Sequence, residues 1–395
     1  MSVRKREWVT PKGVAKSAWV ADYVDTSGKR RLKTFTKKKE ADAFAATASV
    51  EVRSGVHVAD SASITIEKAG RLWIASGELD GLERSSIAQR RNHLEKHIVP
   101  VIGPTLMSKA SVPIIRDFED RLRKNGVSAA MTKKILTSLG SIFSDAIERG
   151  LASRNPVRDR GGQKQKRRAE KRQKGRLEVG VDIPTRDEIK ALIAALEGNW
   201  RPLLLTVIFS GMRSSELRGL RWQDVDMKKG EIRVRQRIDQ YRQVGKPKSE
   251  AGIRTIPVPP LVINALKELK LRQAAGTELV FATQEGDSRS HANVVLKGLR
   301  PAMIRAGMGV DTGKLDKRGK PVITAKYSGL HALRHFYASW LINRKEDGGL
   351  GLPPKIVQER LGHASIVMTL DIYGHLFPRL DDGSELAEAA SALLN

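Results

Sequence analysis

Four short stretches in the second half of the chain contain the residue types that chemistry on a phosphate requires. They are Gly-Met-Arg-Ser-Ser-Glu-Leu (211–217), Lys-Pro-Lys-Ser (246–249), His-Ala-Leu-Arg-His (331–335), and Leu-Gly-His-Ala-Ser (361–365) followed by Tyr373. Guanidinium groups bind phosphate oxygens, histidine and lysine transfer protons, and a tyrosine hydroxyl is an oxygen nucleophile. Together the stretches contain the groups that breaking a phosphodiester bond needs.

Each stretch also has an ordinary explanation when it stands alone. Arg213 and Glu216 lie one helical turn apart, which is the spacing of a surface salt bridge. A lysine on a hairpin is weak evidence of catalysis. His331 and His335 stand four residues apart, as in a zinc-binding helix, but the glutamate that the HExxH motif needs is absent. Tyr373 alone fits a residue of the hydrophobic core.

Taken together in chain order, the four stretches resemble the catalytic domain of the tyrosine recombinases, the phage-integrase family. That family carries Arg, Lys, His-x-x-Arg, His or Trp, and Tyr. The corresponding residues here are Arg213, Lys248, His331, Arg334, His363 and Tyr373. The resemblance extends to the neighbouring residues, in Leu-Arg-His (333–335) and Tyr-Gly-His (373–375). It covers residues 184–380, within which the loop 311–326 is long for the family.

The resemblance implies a reaction in which Tyr373 attacks the DNA backbone, forms a 3′-phosphotyrosine and releases a 5′-hydroxyl. Arg213 and Arg334 would hold the non-bridging oxygens as charge builds up in the transition state. Lys248 would protonate the leaving oxygen, in preference to Lys246, which lies two residues away on the same strand face.

The remaining residues of the pattern would support this reaction. His331 would act as a base or a phosphate contact, His363 as a hydrogen-bonding support, and Glu216 would orient the first arginine. His335 and His375 match the family but are interpreted as structural. Because the phosphotyrosine keeps the energy of the broken bond, the resemblance implies no nucleotide. With two arginines, a lysine and histidines in place, it implies no metal and no other cofactor either.

Composition points to the same class of partner. Lysine and arginine number 71 against 44 aspartate and glutamate, which gives a formal net charge of +27. Such an excess favours a polyanion, and nucleic acid in particular. The absence of cysteine excludes disulfides and cysteine nucleophiles and suits a reducing compartment. With no signal peptide and no apolar run of roughly 20 residues, we expect a soluble protein of the bacterial cytoplasm, associated with the nucleoid.

The expected fold class is mainly α with small β-sheets, an α+β protein. The predicted segments are an N-terminal sheet-plus-helix domain that binds arm-type DNA sites (1–60), a helical, SAM-like core-binding domain (64–157), a basic linker (158–183), a mixed α/β catalytic domain of the tyrosine-recombinase type (184–380) and a C-terminal tail helix (381–395). In the first two segments, DNA contact and a purely structural role both remain open. The tail would dock either on a neighbouring subunit or on its own domain.

Local patterns predict individual elements. Alternating apolar residues at 19, 21 and 23, followed by Ser-Gly-Lys (27–29), predict a hairpin. Thr185 and Glu188 have the spacing of a capping box and predict the start of a helix. Residues 231–258 predict one small sheet within an otherwise helical catalytic domain. Ten basic residues against two acidic ones over 158–176 predict a disordered linker.

The function that the resemblance implies is site-specific recombination by an integrase of a phage or other mobile element. Its implied partners are double-stranded DNA attachment sites, three further copies of the chain in a tetramer on DNA, an excision factor and a host DNA-bending protein. The alternatives are a chromosome-dimer resolvase and a type IB topoisomerase. A non-catalytic DNA-binding protein of the same fold would carry at least one altered active-site residue, and no position departs from the pattern.

Overall fold

The computed structural model describes residues 1–11, 13–159, 176–377 and 390–394. The chain forms two compact units, Met1–Lys164 and Gln165–Asn395. Most of the predicted linker and of the predicted tail helix lies outside the described residues. Within the described ranges, no helix is long and apolar enough to cross a membrane.

The first unit begins with a three-stranded antiparallel sheet and one helix. The elements are β1 (Ser2–Val9), β2 (Ala15–Val24), β3 (Arg30–Phe35) and α1 (Lys38–Arg53). The predicted hairpin is confirmed, because β2 pairs with β3 and Trp19 faces Phe35 in the register. Asp25 closes its turn by accepting hydrogen bonds from the backbone N–H groups of Ser27 and Lys29, both at 2.9 Å. Phe44 of α1 packs edge-on against Tyr23, which fixes the helix on the sheet.

A helical bundle makes up the rest of the first unit. Its elements are α2 (Ile66–Leu79), α3 (Arg84–His93), a π-helical turn (Leu94–Ile98), α4 (Val99–Ile102), a 3₁₀ turn (Met107–Lys109), α5 (Val112–Lys124) and α6 (Ala129–Glu148). Ile66 and Trp73 of α2 and Leu139 and Phe143 of α6 recur at helical spacing and are buried together in one core. The amide of Asn155 donates to the carbonyl of Gly140 and ties the end of the bundle to α6.

The second unit is built mainly of helices. They are α7 (Arg186–Ala194), α8 (Trp200–Ser210), α9 (Ser214–Arg218), α10 (Pro260–Arg272), α11 (His291–Asn293), a π-helical turn (Val294–Leu299), α12 (Arg300–Arg305), α13 (Leu330–Ile342), α14 (Pro354–Leu361) and α15 (Ile366–Tyr373). Short 3₁₀ turns cover Trp222–Asp224, Glu250–Gly252 and Gly374–Leu376. The predicted capping box at Thr185 is confirmed, with both reciprocal hydrogen bonds present. Helix α8 is apolar on nearly all sides because it lies in the centre of the unit.

The expectation of one small sheet in this unit is only partly right. Strands β4 (Val225–Asp226), β5 (Glu231–Val234) and β8 (Arg254–Pro257) form the predicted sheet. Between β5 and β8 in the chain, β6 (Arg237–Ile238) and β7 (Val244–Gly245) pair with each other as a separate two-stranded ribbon. A further ribbon, β9 (Gly309–Leu315) with β10 (Pro321–Ala325), occupies the segment that was expected to be a loop.

The ribbon β9–β10 lacks the signal that would have identified it. All seven residues of β9 are exposed, so neither face has the apolar alternation of a half-buried strand. Its turn uses the same chemistry as the first hairpin, since the carboxylate of Asp316 accepts from the backbone N–H groups of Arg318 and Lys320. The fold class is nevertheless as expected, mainly α with small β-sheets.

Candidate active site

The site begins at the end of α8, where a glycine turns the chain. Gly211 has φ +59°, in the left-handed region that favours glycine, and a Cβ there would collide with the ring of Tyr337. The turn leaves the Gly211 carbonyl free of the helix, and Arg334 donates a hydrogen bond to it at 2.6 Å. The same turn places Arg213 at the N-terminus of α9. Two arginines that are distant in sequence are therefore brought to one point.

Arg213 is held in place by a buried glutamate. Its Nη1 donates to Oε1 of Glu216 at 2.8 Å, its backbone N–H donates to Oε2 at 3.0 Å, and its Nη2 donates to the carbonyl of Gly362 at 3.1 Å. Gly362 ends α14 with φ +64°. The predicted orienting partner thus contacts Arg213, whose side chain keeps 32% of its surface exposed.

Glu216 is shared between two guanidinium groups. Its side chain is 2% exposed, and Oε2 also accepts from Nη2 of Arg254 at 2.8 Å. Burial acts to raise the pKa of Glu216, but the charges of Arg254 and Arg213 outweigh burial and hold the pKa below its usual value. The carboxylate is therefore ionised at neutral pH and fixes both arginines.

Arg334 is the most deeply buried cation of the site. It is 2% exposed and, besides Gly211, donates from Nη2 to the carbonyl of Leu361 at 2.7 Å. Burial and the positive charges of Arg213 and Arg254 lower the pKa of Arg334 to about 9. Arg334 therefore stays protonated at neutral pH, and the two backbone carbonyls fix the plane of its guanidinium group.

Tyr373 ends α15 inside this cluster. It is 1% exposed, and its ring lies parallel to that of His363 with 6.3 Å between centroids. Burial raises the pKa of Tyr373 to about 12 against the opposing charges of Arg334 and Arg213. Nδ1 of His363 is hydrogen-bonded to Oγ1 of Thr369 at 2.9 Å, so its Nε2 is the nitrogen left for another partner.

The two histidines of α13 differ in their surroundings. His331 is exposed, and its ring meets that of His335 edge to face at 4.4 Å between centroids. Nδ1 of His335 lies 2.8 Å from the hydroxyl oxygen of Tyr373. The interpretation of His335 as structural does not account for this contact, which places its imidazole beside the hydroxyl of the predicted nucleophile.

Lys248 occupies a different position from the other predicted residues. It is exposed, in the segment between β7 and the 3₁₀ turn before β8, and Lys246 in the same segment is exposed as well. Arg254 anchors this segment, since its Nε donates to the carbonyl of Arg360 at 2.8 Å and its Nη2 to Glu216. The predicted lysine thus lies in the loop that leads into β8, the strand whose Arg254 is bonded to Glu216 of the arginine cluster.

Sequence reasoning missed Arg254, Thr369 and the contact made by His335. A signal existed for Arg254: it stands two residues before the buried Ile256 in β8, so both side chains lie on the inward face of the strand. Its side chain is 5% exposed. A buried arginine on a short strand requires a buried anion, and Glu216 is that anion.

Within the described residues, the cluster has an excess of positive charge. Arg213 and Arg254 contact the carboxylate of Glu216, and Arg334 lies within reach of its charge, so three guanidinium groups share one carboxylate and leave a local charge of +2. Such a cluster binds an anion and stabilises the additional negative charge of a pentacoordinate phosphorus. With a tyrosine hydroxyl inside it, the arrangement is suited to attack on a phosphodiester.

The family comparison matches this part of the chain. The family model described as "Phage integrase family" matches residues 184–379. A XerC-like tyrosine recombinase of Caldanaerobacter subterraneus is 28% identical over 390 residues, covering 90% of each chain. The ICEBs1 integrase of Bacillus subtilis is 25% identical over 341 residues, covering 85% of this chain and 84% of the relative.

Solved structures agree with the fold. The Tn1549 transposon integrase in complex with a circular intermediate DNA superimposes with a TM-score of 0.61 at 18% identity, covering 84% of this chain and 100% of that chain. A lambda integrase dimer bound to a COC′ core site gives a TM-score of 0.55 at 18% identity, covering 95% of this chain and 97% of the other. At this identity the likeness establishes the shared fold.

Proposed function

Because the chain belongs to the phage integrase family of tyrosine recombinases, we propose that it integrates and excises a phage or another mobile element through a covalent bond to Tyr373. The chain is a site-specific DNA recombinase by family. The names of relatives support the mobile-element role, since they include the ICEBs1 integrase and the prophage integrase IntR of Escherichia coli. The observation that carries the proposal is a buried tyrosine hydroxyl inside a cluster of positive charge.

In the proposed reaction, Arg213 and Arg334 bind the non-bridging oxygens of the scissile phosphate. The carbonyl and carboxylate contacts described above fix both guanidinium groups before DNA arrives, so little reorganisation is needed as charge builds up. His363, kept neutral by burial and by the neighbouring arginines, which lower its pKa to about 4, donates from Nε2 while its Nδ1 accepts from Thr369. His331 adds a phosphate contact from the exposed side.

The covalent step exchanges one ester for another. The phenolic oxygen of Tyr373 attacks phosphorus, the bond to the 5′-oxygen breaks, and Lys248 supplies the proton that turns this oxygen into a 5′-hydroxyl. The phosphate charge is the same before and after. In the reverse step a 5′-hydroxyl, from the same or another DNA molecule, attacks the phosphotyrosine and releases Tyr373.

We assign the remaining parts of the chain to DNA binding and assembly. The basic sheet over 1–60 binds arm-type sites, the bundle over 64–157 and the domain over 184–380 hold the crossover site, and the linker over 158–183 follows the phosphate backbone. The tail over 381–395 docks on a neighbouring subunit of a tetramer. Excision involves an accessory factor and a host DNA-bending protein, and the protein acts in the bacterial cytoplasm. The overall charge of +27 supports this assignment.

The central test is trapping of the covalent intermediate. The site is found first by footprinting the protein on DNA flanking its own gene, and a nicked version of that site then serves as a suicide substrate. The wild type should give a slower band on a denaturing gel, whereas Tyr373→Phe should bind the same DNA and give none. Tyr327→Phe, a buried tyrosine hydrogen-bonded to Glu188, is the matched control and should keep the adduct. A persistent adduct with Tyr373→Phe would show that Tyr373 is not the nucleophile.

The reaction outcome separates the proposed integrase from its rivals. An integrase joins two different sites on separate DNA molecules, a resolvase acts between equivalent sites on one molecule, and a type IB topoisomerase relaxes supercoils without exchanging partners. One assay with two unlike sites and one with a supercoiled plasmid distinguish the three. Relaxation without recombination would favour the topoisomerase.

A further inference from the structure

The hydrogen bond between His335 and Tyr373 has no role in the mechanism given above. Nδ1 of His335 lies 2.8 Å from the hydroxyl oxygen, and the two rings meet at 62° with 5.7 Å between centroids. A tyrosine at its ordinary protonation carries one hydroxyl proton, which it donates to a neutral imidazole nitrogen. Because Tyr373 is 1% exposed, bulk water does not replace this partner in the described state.

We propose that His335 is the general base for the nucleophile: its Nδ1 takes the phenolic proton as the oxygen of Tyr373 attacks phosphorus. This inference rests on the proposed function and adds the proton acceptor that the reaction needs. His335 is then a catalytic residue, since it touches a reacting atom. In the resealing step, the same nitrogen returns the proton to the departing phenolic oxygen.

The proton balance of the step closes with groups that the site contains. The bond from Oη of Tyr373 to phosphorus forms and the bond from phosphorus to the 5′-oxygen breaks. The phenolic proton moves to Nδ1 of His335, and a proton from Lys248 completes the 5′-hydroxyl. No oxidant, reductant or external base takes part.

The other histidines of the site are oriented differently. Nδ1 of His363 is occupied by Thr369, and its ring stacks parallel to that of Tyr373 without a hydrogen bond to the hydroxyl among the described contacts. His331 lies beyond His335, against the edge of its ring, on the exposed side. Arg334 offers only donors. Geometry therefore selects His335.

The charges around His335 suggest when the base becomes active. Burial, His331 and Arg334 lower the pKa of His335 to about 4, while Asp182, which precedes α7, opposes this change. A base this weak leaves Tyr373 protonated in the free protein. A phosphate bound by the arginines neutralises part of the positive charge, which raises the basicity of His335 only when substrate is present. The proton then transfers as the oxygen–phosphorus bond forms.

The test compares two replacements of His335 that keep much of its shape. His335→Asn retains a hydrogen-bond acceptor without a titrating nitrogen, and His335→Phe retains the ring volume alone. Single-turnover cleavage of the nicked suicide substrate should fall by about 10²- to 10⁴-fold in both, which is the usual contribution of a positioned general base. DNA binding should stay within about twofold of the wild type, because a lost base removes no contact to DNA. His375→Asn is the control, since Nε2 of His375 bonds the carbonyl of Leu177 and not the nucleophile.

Two further measurements separate a base from a packing residue. In the variants, cleavage should keep rising with pH beyond the range where the wild type levels off, because hydroxide must then remove the phenolic proton. Added imidazole should restore part of the cleavage by His335→Ala. Wild-type-like cleavage by His335→Asn or His335→Phe, faster cleavage by either, or an alanine variant that imidazole does not restore would each overturn the proposal. Failure of the wild type itself to form an adduct would instead contradict the proposed function.

Discussion

Two regions of this chain carry positive charge in opposite ways. In the sheet β1–β3, most of the cations are exposed: the side chain of Arg30 keeps 67% of its surface accessible although it pairs with Asp22. In the arginine cluster that contains Tyr373, Arg334 is 2% exposed and is held by two backbone carbonyls. Exposed charges attract a polyanion through their summed field, which salt screens. A buried charge instead acts on one bound atom at a fixed place.

The difference follows from the cost of removing a charge from water. An exposed arginine keeps its hydration and needs no particular partner, so its position is loosely defined. A buried arginine has lost that hydration and is stable only with anions and carbonyls arranged around it. Glu216 supplies the anion for both Arg213 and Arg254. The same contacts that make burial tolerable therefore also orient the arginines toward a phosphate.

The largest effect is expected from removing the shared anion. Glu216→Ala leaves Arg254 buried without a counter-charge, so the free energy of unfolding should fall by about 3–5 kcal/mol and covalent cleavage should be lost. Urea denaturation and the suicide substrate measure the two effects. The control is Glu250→Ala, an exposed glutamate in the 3₁₀ turn before β8, which should be close to the wild type. A loss of stability equal to that of the control would show that the buried charges do not depend on Glu216.

Lys248 is exposed, as is His331 in the same proposed catalytic set, and a variant of this lysine tests whether an exposed side chain takes part in catalysis. Lys248→Ala should lower cleavage by about 10²- to 10⁴-fold, since the leaving oxygen loses its proton donor. A substrate with sulfur at the 5′-bridging position, whose leaving group needs no proton, should restore cleavage. Lys246→Ala is the matched control, and restoration by sulfur in that variant alone would reassign the acid.

Acid should weaken the buried cluster by protonating the carboxylate that its arginines share. The pKa of Glu216 is lowered in the folded protein, so its contribution to stability is complete above the unfolded value and is lost as the pH falls through the folded one. The thermal midpoint of the wild type should therefore drop below about pH 4.5, and the drop should be smaller in Glu216→Gln. Parallel curves for the two proteins would show that other carboxylates dominate acid unfolding.

The smallest effect on stability is expected in the exposed sheet. Arg30→Ala should leave the thermal midpoint almost unchanged, because exposed ion pairs contribute little. Its effect should appear in DNA binding instead: if Arg30 contacts a phosphate, the slope of the logarithm of affinity against the logarithm of salt concentration should fall by about 1. Affinity measured between low and high salt tests this. An unchanged slope together with a clear loss of stability would contradict the contrast between the two regions.

The elements with strong local signals were predictable from the sequence. The capping box at Thr185 and the hairpin closed by Asp25 depend on residues within a few positions of each other, and both are present. The ribbon β9–β10 was missed because β9 is exposed on both faces and β10 is buried only at its end, at Ala325, so neither strand shows alternation. Local patterns thus identify elements that have one buried face and fail for those that have none.

Residue types and their order in the chain determined which chemistry this protein can perform, because a nucleophile, two arginines, a lysine and histidines are properties of the side chains themselves. Only the tertiary structure decided which of these groups meet. Arg334 reaches the carbonyls of Gly211 and Leu361, and His335 reaches the hydroxyl of Tyr373, through the packing of α13 against α8, α14 and α15. These partners are separated by 27 to 123 residues along the chain, so no local pattern encodes the distance between them. Burial then set the protonation of His335, since burial, His331 and Arg334 lower its pKa and make it a far weaker base than a histidine in water.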